Sequence, residues 1–117
     1  MPTQAAYKQA ITESIAAIAQ ELQELLGQKL VAYTTNVKSP KAVGRWARDE
    51  VPPRTESEQR LRALYRTVLT LQDAYGPQTI RAWLQGANPD LANQAPVEAL
   101  RKGREAAVFQ AAEHFIH

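Results

Sequence analysis

The sequence contains no cysteine, so disulfide bonds and thiolate metal sites are excluded and the redox compartment is left open. It has no apolar run of the length that a membrane span requires. Its N-terminus lacks the basic-then-apolar layout of a signal peptide. We therefore predict a cytoplasmic protein with no membrane partner.

Residues that carry catalysis are also scarce. The five glycines are scattered, so the sequence offers no glycine-rich phosphate loop. The two histidines, His114 and His117, lie at the C-terminus without a third metal ligand at useful spacing. No serine lies in a nucleophile-elbow sequence or close to a histidine. We predict no catalytic residue, no metal site, no cofactor and no enzymatic activity.

Charge is nearly balanced, with 14 basic and 12 acidic residues and a net charge of +2, but it is unevenly distributed. No acidic residue occurs from position 29 to 48, where the charged residues are Lys29, Lys38, Lys41, Arg45 and Arg48. A local basic segment of this kind indicates a surface that faces an anion.

The apolar residues follow the helical period, and no segment alternates as a strand would. With 44% hydrophobic and 22% charged residues in 117, the chain is expected to fold as one compact all-α domain or as two small helical modules. The first predicted helix runs from Thr3 to Leu26, because isoleucines and leucines recur three or four residues apart. A core-facing helix is favoured over a coiled-coil seam, since the stripe covers too few heptads.

The basic segment has the layout of a helix-turn-helix. A short helix is predicted from Gln28 to Asn36, and a second is capped by Ser39 with Pro40 at its first position. Val43 and Trp46 of the second helix are expected to face the core. The candidate DNA contacts lie on its other side and in the turn: Lys38, Ser39, Lys41, Ala42, Arg45 and Arg48.

A longer helix is predicted from Glu56 to about Ala74, opened by a Thr55-x-x-Glu58 capping box. Its leucines form a broad apolar face, and its three arginines, Arg60, Arg62 and Arg66, are placed mostly outside. We expect this helix, within residues 55–75, to connect the two halves of the molecule.

The segment from 76 to 103 predicts two short helices joined by an ordered turn. Pro77 starts the first helix, and Gly86 is expected to end it in a left-handed conformation. The turn at Asn88-Pro89-Asp90 follows, and Pro96 starts the second helix. A final helix is predicted from Arg104 to about Ile116. Such an arrangement favours a docking surface over a catalytic one.

These residues carry a resemblance to the MbcA/ParS/Xre antitoxin family. The family hallmark in the C-terminal half is matched by Trp83-Leu84, Asn88-Pro89-Asp90-Leu91, Pro96 and Gly103. Ala92-Asn93 stands where the family often has a glycine pair. The basic segment resembles an Xre-type DNA-binding domain through Val37, Ser39, Val43, Trp46 and Pro52, and Lys38 lengthens its turn by one residue.

The resemblance implies an Xre-like helix-turn-helix over residues 1–54 and a toxin-binding domain over residues 76–117. It implies a type II antitoxin that neutralises an NAD-consuming RES-domain toxin, and a homodimer that represses its own operon by binding double-stranded DNA. The toxin-binding residues that it implies, in or beneath the docking surface, are Trp83, Asn88, Pro89, Leu91, Pro96, Leu100 and Arg101. A stand-alone transcription regulator and a protein-interaction module without DNA binding remain the alternatives.

Overall fold

The structure, a computed structural model, describes residues 2–117, with side chains from residue 5 onward. Helices are the regular secondary structure of the described residues, which contain no strand, and this confirms the all-α prediction. The helices are α1 (Pro2–Thr12), α2 (Ile15–Leu26), α3 (Gln28–Thr35), α4 (Lys41–Ala47), α5 (Thr55–Gln72), α6 (Pro77–Gln85), α7 (Pro96–Arg101) and α8 (Glu105–Ile116). A 3₁₀ turn at Pro89–Leu91 lies between α6 and α7. The first position of the predicted region 1–54 lies outside the described residues.

The long N-terminal helix that the sequence predicted is two helices, so that prediction was wrong. Its apolar stripe continues across the break, but Ser14 adopts an extended backbone and its hydroxyl accepts a hydrogen bond from the Ala17 amide. That contact is an N-cap, and it starts α2 afresh. Gly27, with φ of 85°, then separates α2 from α3.

Helix α5 lies at the centre and packs against α1, α2 and α3 as well as α6, α7 and α8. Leu61, Leu64 and Leu71 are fully buried on it. Tyr65 is buried too, and its hydroxyl donates to Glu21 of α2 while accepting from Gln9 of α1. Burial, reinforced by the Glu21 hydrogen bond, raises the pKa of Tyr65 to about 12. One helix therefore organises a core shared by both ends of the chain, and the predicted boundaries near residues 54 and 75 stay predictions.

The arginines of α5 are not mostly outside, as the sequence suggested. Arg62 donates to the carbonyls of Ala10 and Glu13, each 2.9 Å away, and Arg60 donates to the Arg101 carbonyl at 2.8 Å. Only 24% of the Arg62 side chain and 17% of the Arg60 side chain is exposed to solvent. Long side chains of this type bury their methylenes while the guanidinium reaches the ends of neighbouring helices.

Two local predictions about caps were wrong. The capping box at Thr55 does not form, because α5 already begins at Thr55 and Arg54 takes the preceding extended position. Glu58 instead pairs with Arg62 one turn later, at 3.0 Å. Gly86 ends α6 with φ of −87°, an extended conformation open to any residue, not the left-handed one.

Candidate functional site

A cavity of about 460 Å³ opens between the end of α6, the 3₁₀ turn and α8. Most of its lining is apolar or small, and the residues are Ala82, Trp83, Gly86, Ala87, Asn88, Pro89, Asp90, Ala111, His114 and Phe115. Three of the residues singled out from the family motif, Trp83, Asn88 and Pro89, are thus brought to one concave surface.

Aromatic rings form one wall of the cavity. Phe115 lies with its ring centroid 5.8 Å from that of Trp83 and 4.8 Å from that of Tyr75. Trp83 is half-buried, whereas 40% of Phe115 is exposed. An exposed aromatic ring supported by a second ring is a typical anchor for a binding partner.

The 3₁₀ turn is held by Asn88. Its side-chain oxygen accepts from the Asp90 amide at 2.9 Å, and its carbonyl accepts from the amides of Leu91 and Asn93. Ala92 and Asn93 both adopt left-handed backbones, with φ of 55° and 66°. The predicted turn is therefore present, and its tight path requires left-handed residues where the family often has glycines.

His114 joins the turn to the last helix. Its Nδ1 lies 2.6 Å from Asp90 Oδ2, and this hydrogen bond, together with the carboxylate charge, raises the pKa of His114. This pair could not be predicted from local sequence, since the two residues are 24 positions apart.

The other residues in the toxin-binding prediction lie elsewhere. Leu91, Pro96 and Leu100 are buried beneath the surface and support the turn and α7. Arg101 does not line the cavity, because its guanidinium lies over the ring of Tyr33 on α3. Leu91, Pro96 and Leu100 thus lie beneath the surface that carries Trp83, Asn88 and Pro89, and the toxin-binding role of all seven residues stays a prediction.

The predicted DNA-binding residues lie along α4 and the turn before it. Lys38, Ser39, Lys41, Arg45 and Arg48 are exposed, while Ala42 is half-buried against the core. Helix α4 begins at Lys41 with Pro40 in the preceding cap position, so the predicted start, with Ser39 as the cap and Pro40 as the first helical residue, was one residue too early. The Ser39 hydroxyl still accepts a hydrogen bond from the Lys41 amide at 3.3 Å.

Arg48 forms an ion pair with Glu50, whose carboxylate also interacts with the charge of Arg45. Its Nε lies 2.6 Å from Glu50 Oε2, and that contact raises the pKa of Arg48 and lowers the pKa of Glu50. Val43 and Trp46 are buried, so α4 presents its basic side outward, as predicted.

A second apolar groove, of about 340 Å³, which was not predicted from the sequence, lies between α1, α5 and α8. Tyr7 and Ile11 are about half exposed there, and the Arg66 guanidinium lies 4.0 Å from the centroid of Phe109.

Among the described residues, no group of three or more potential ligands could hold a metal ion. Within residues 2–117, no helix is both long and apolar enough to span a membrane.

No protein-family model matches the chain. Over 78 residues, however, 67% of the chain, it is 38% identical to a probable mycobacterial cidal antitoxin of Mycobacterium tuberculosis. The chain is thus related in sequence to a mycobacterial antitoxin. The match covers 66% of the relative's own length, just under two thirds.

The fold of the MbcA family is also the fold of this chain. The M. tuberculosis MbcT–MbcA toxin–antitoxin complex contains a chain that superposes with a TM-score of 0.72, at 24% sequence identity. The superposition covers 84% of this chain and 89% of the other. The resemblance to an antitoxin family, noted from the Trp83 and Asn88 motifs, is confirmed by the sequence match.

Proposed function

We propose that the chain is the antitoxin of a type II toxin–antitoxin system, and that it neutralises its toxin by binding through residues 76–117. The observation that carries the proposal is the open cavity at Trp83, Asn88 and Pro89, with Phe115 exposed in its wall. The description of the relative as an antitoxin and the toxin–antitoxin complex containing the similar fold support the same function.

The toxin partner that fits the family resemblance is a RES-domain enzyme that consumes NAD. The antitoxin would act in the cytoplasm by occupying the toxin surface, with no reaction of its own. A concave apolar surface with few titratable groups supports binding over catalysis. Incubating NAD with the purified chain alone should leave the NAD unchanged, whereas adding the chain to the toxin should stop NAD loss.

The decisive experiment is co-expression with the product of the adjacent reading frame, followed by co-purification. Ala82→Arg places a bulky side chain in the cavity from an exposed position of α6. We expect it to weaken the complex by at least about tenfold, since a single clash or buried unpaired charge in an interface costs 1.4 kcal/mol or more.

Gln85→Arg is the matched control, because Gln85 is exposed on the same helix but does not line the cavity. Equal affinity of both variants and the parent chain would contradict the proposed docking surface. Phe115→Ala provides a second test, since it removes the exposed ring without emptying the core.

A second function, repression of the operon through α3, the turn and α4, is supported by the exposed cations Lys38, Lys41 and Arg45 on the face opposite buried Trp46. Two copies of the chain would read paired half-sites, so a homodimer is part of this proposal. A stand-alone regulator and an interaction module without DNA binding are its alternatives.

A gel shift with the upstream DNA at low and high salt tests this function. Lys41→Gln and Arg45→Gln should each weaken binding and reduce its salt dependence by about one phosphate contact. Arg48→Gln is the control, and we expect it to lower the affinity for DNA less, because the Arg48 guanidinium is already paired with Glu50. No shift at low salt would favour the interaction module, and a shift without any co-purifying toxin would favour the stand-alone regulator.

A further inference from the structure

We propose that the cavity beside Trp83 receives a positively charged side chain, an arginine or lysine, from the toxin. This inference rests on the proposed docking function and adds the chemistry of the partner group. It is carried by the juxtaposition of an aromatic wall, one carboxylate and the C-terminal end of a helix.

The aromatic wall and the carboxylate supply complementary contacts for a cation. The rings of Trp83 and Phe115 provide faces that attract a guanidinium or ammonium group. Asp90 retains 41% of its side-chain exposure and contributes a carboxylate to the same lining. Its Oδ2 contacts His114, while Oδ1 has no hydrogen bond within the described residues.

The end of α6 adds negative potential. Gly86 and Ala87, the two residues that follow α6, line the cavity, so the cavity lies at the C-terminal end of this helix. The C-terminus of a helix carries a partial negative charge that a cation stabilises. Helix α6 has no basic residue in its last turn, and no lysine or arginine lines the cavity. Among the lining residues, His114 pairs with Asp90 through Oδ2, so a lysine or arginine at this cavity would come from another molecule.

Two arginines already stack on aromatic rings within the described residues, and one of them, Arg66, contacts both Tyr7 and Phe109. Arg66 lies over Phe109, 4.0 Å from its centroid, and Arg101 lies over Tyr33 at 4.6 Å. At the cavity, the rings are present but the stacked cation is missing from the lining. An uncharged apolar side chain would cover Asp90 Oδ1 without giving it a hydrogen bond, and an acidic side chain would be repelled by the carboxylate, so both are disfavoured.

His114 competes with the proposed cationic side chain of the toxin for contact with Asp90. Its ring nitrogen already occupies one carboxylate oxygen, and in its protonated form it cancels the charge that would attract the guest. Replacing Asp90 and replacing His114 should therefore have opposite effects on the affinity for the toxin. If Asp90 served only to hold the turn through His114, the two replacements would have the same effect.

The test measures the dissociation constant of the complex between the full chain and the co-purified product of the adjacent reading frame. Asp90→Asn should raise the constant about tenfold or more, in the range seen when one partner of an interfacial charge pair is removed. His114→Gln should leave it equal or lower. Raising the salt concentration should weaken the parent complex more than the Asp90→Asn complex.

Phe115→Ala, measured in parallel, separates this inference from the function on which it rests. If Phe115→Ala binds the toxin weakly while Asp90→Asn binds it as the parent chain does, the proposal of a cationic side chain is wrong. The proposed docking surface is then retained. Equal weakening by Asp90→Asn and His114→Gln would also overturn it, in favour of a turn-holding role. Parent-like binding by all three variants would overturn both the inference and the docking surface. Thermal melts confirm that each variant is folded.

Discussion

The guanidinium of Arg101 lies over the ring of Tyr33, 4.6 Å from its centroid, and donates to the Tyr33 carbonyl at 2.6 Å. This contact joins α7 to α3 across 68 positions of sequence. It connects the segment proposed to bind the toxin with the segment proposed to bind DNA.

Arg101→Ala should therefore lower the free energy of unfolding by about 1–2 kcal/mol, from the lost stacking and the lost charge-assisted hydrogen bond. Urea unfolding followed by circular dichroism measures the change. Lys102→Ala is the control, since its exposed pair with Glu98 should contribute less than about 1 kcal/mol. A loss no greater than that of the control would show that the Tyr33 contact adds nothing.

Arg62 fixes the end of α1 by donating to the carbonyls of Ala10 and Glu13. Arg62→Met keeps most of the buried methylenes but leaves both carbonyls without this partner, so α1 should open more often, at a cost of about 1–3 kcal/mol. Relative to the parent chain, hydrogen exchange of the variant should show a larger increase in the amide exchange rates of α1 than in those of α7. Gln59→Met, at an exposed position of the same helix, should leave the exchange of α1 unchanged.

Ala92 has a left-handed backbone that favours glycine. Ala92→Gly should stabilise the protein by about 0.5–1 kcal/mol, because relief of the left-handed strain exceeds the added entropy of the unfolded chain. Ala87→Gly, at an exposed residue without positive φ, should destabilise it by a similar amount. Thermal melts of the two variants should shift in opposite directions, and a shift of Ala92→Gly downward would contradict the strain argument.

Asp90 raises the pKa of His114 above its ordinary value of 6.5. Because the folded-state pKa is raised, the stabilisation from this pair is complete below the unfolded pKa and is lost as the pH rises through the folded pKa. An NMR titration of the His114 ring should show a midpoint above 6.5. Asp90→Asn should lower that midpoint, and Asp73→Asn, an exposed carboxylate that does not line the cavity, should not.

Much of the local structure was predictable because it depends on neighbours in sequence. Pro77 and Pro96 start helices where expected, Asn36 ends α3 in the left-handed region, and the 3₁₀ turn forms at Asn88. The break at Ser14 was missed because the apolar stripe continues across it. In that stretch the local cap, not the hydrophobic period, decides where the helix ends.

The candidate site was predictable only in part. Its motif residues Trp83, Asn88 and Pro89 could be named in advance, since a turn and its flanking helices are local. Phe115, His114 and the partners of Arg62 could not, because each comes from a helix far away in sequence. Arginine side chains in particular can reach several neighbouring elements, and their periodicity does not say which one.

The sequence by itself determined the helical class, most of the helix limits and the family of the chain, because these depend on short-range spacing and on fixed motif positions. Only the tertiary structure decided which aromatic rings share a wall, which arginines bind backbone carbonyls and which carboxylate contacts His114. Those choices follow from how α1, α6 and α8 pack around α5, and packing depends on contacts between residues that the sequence order does not bring together.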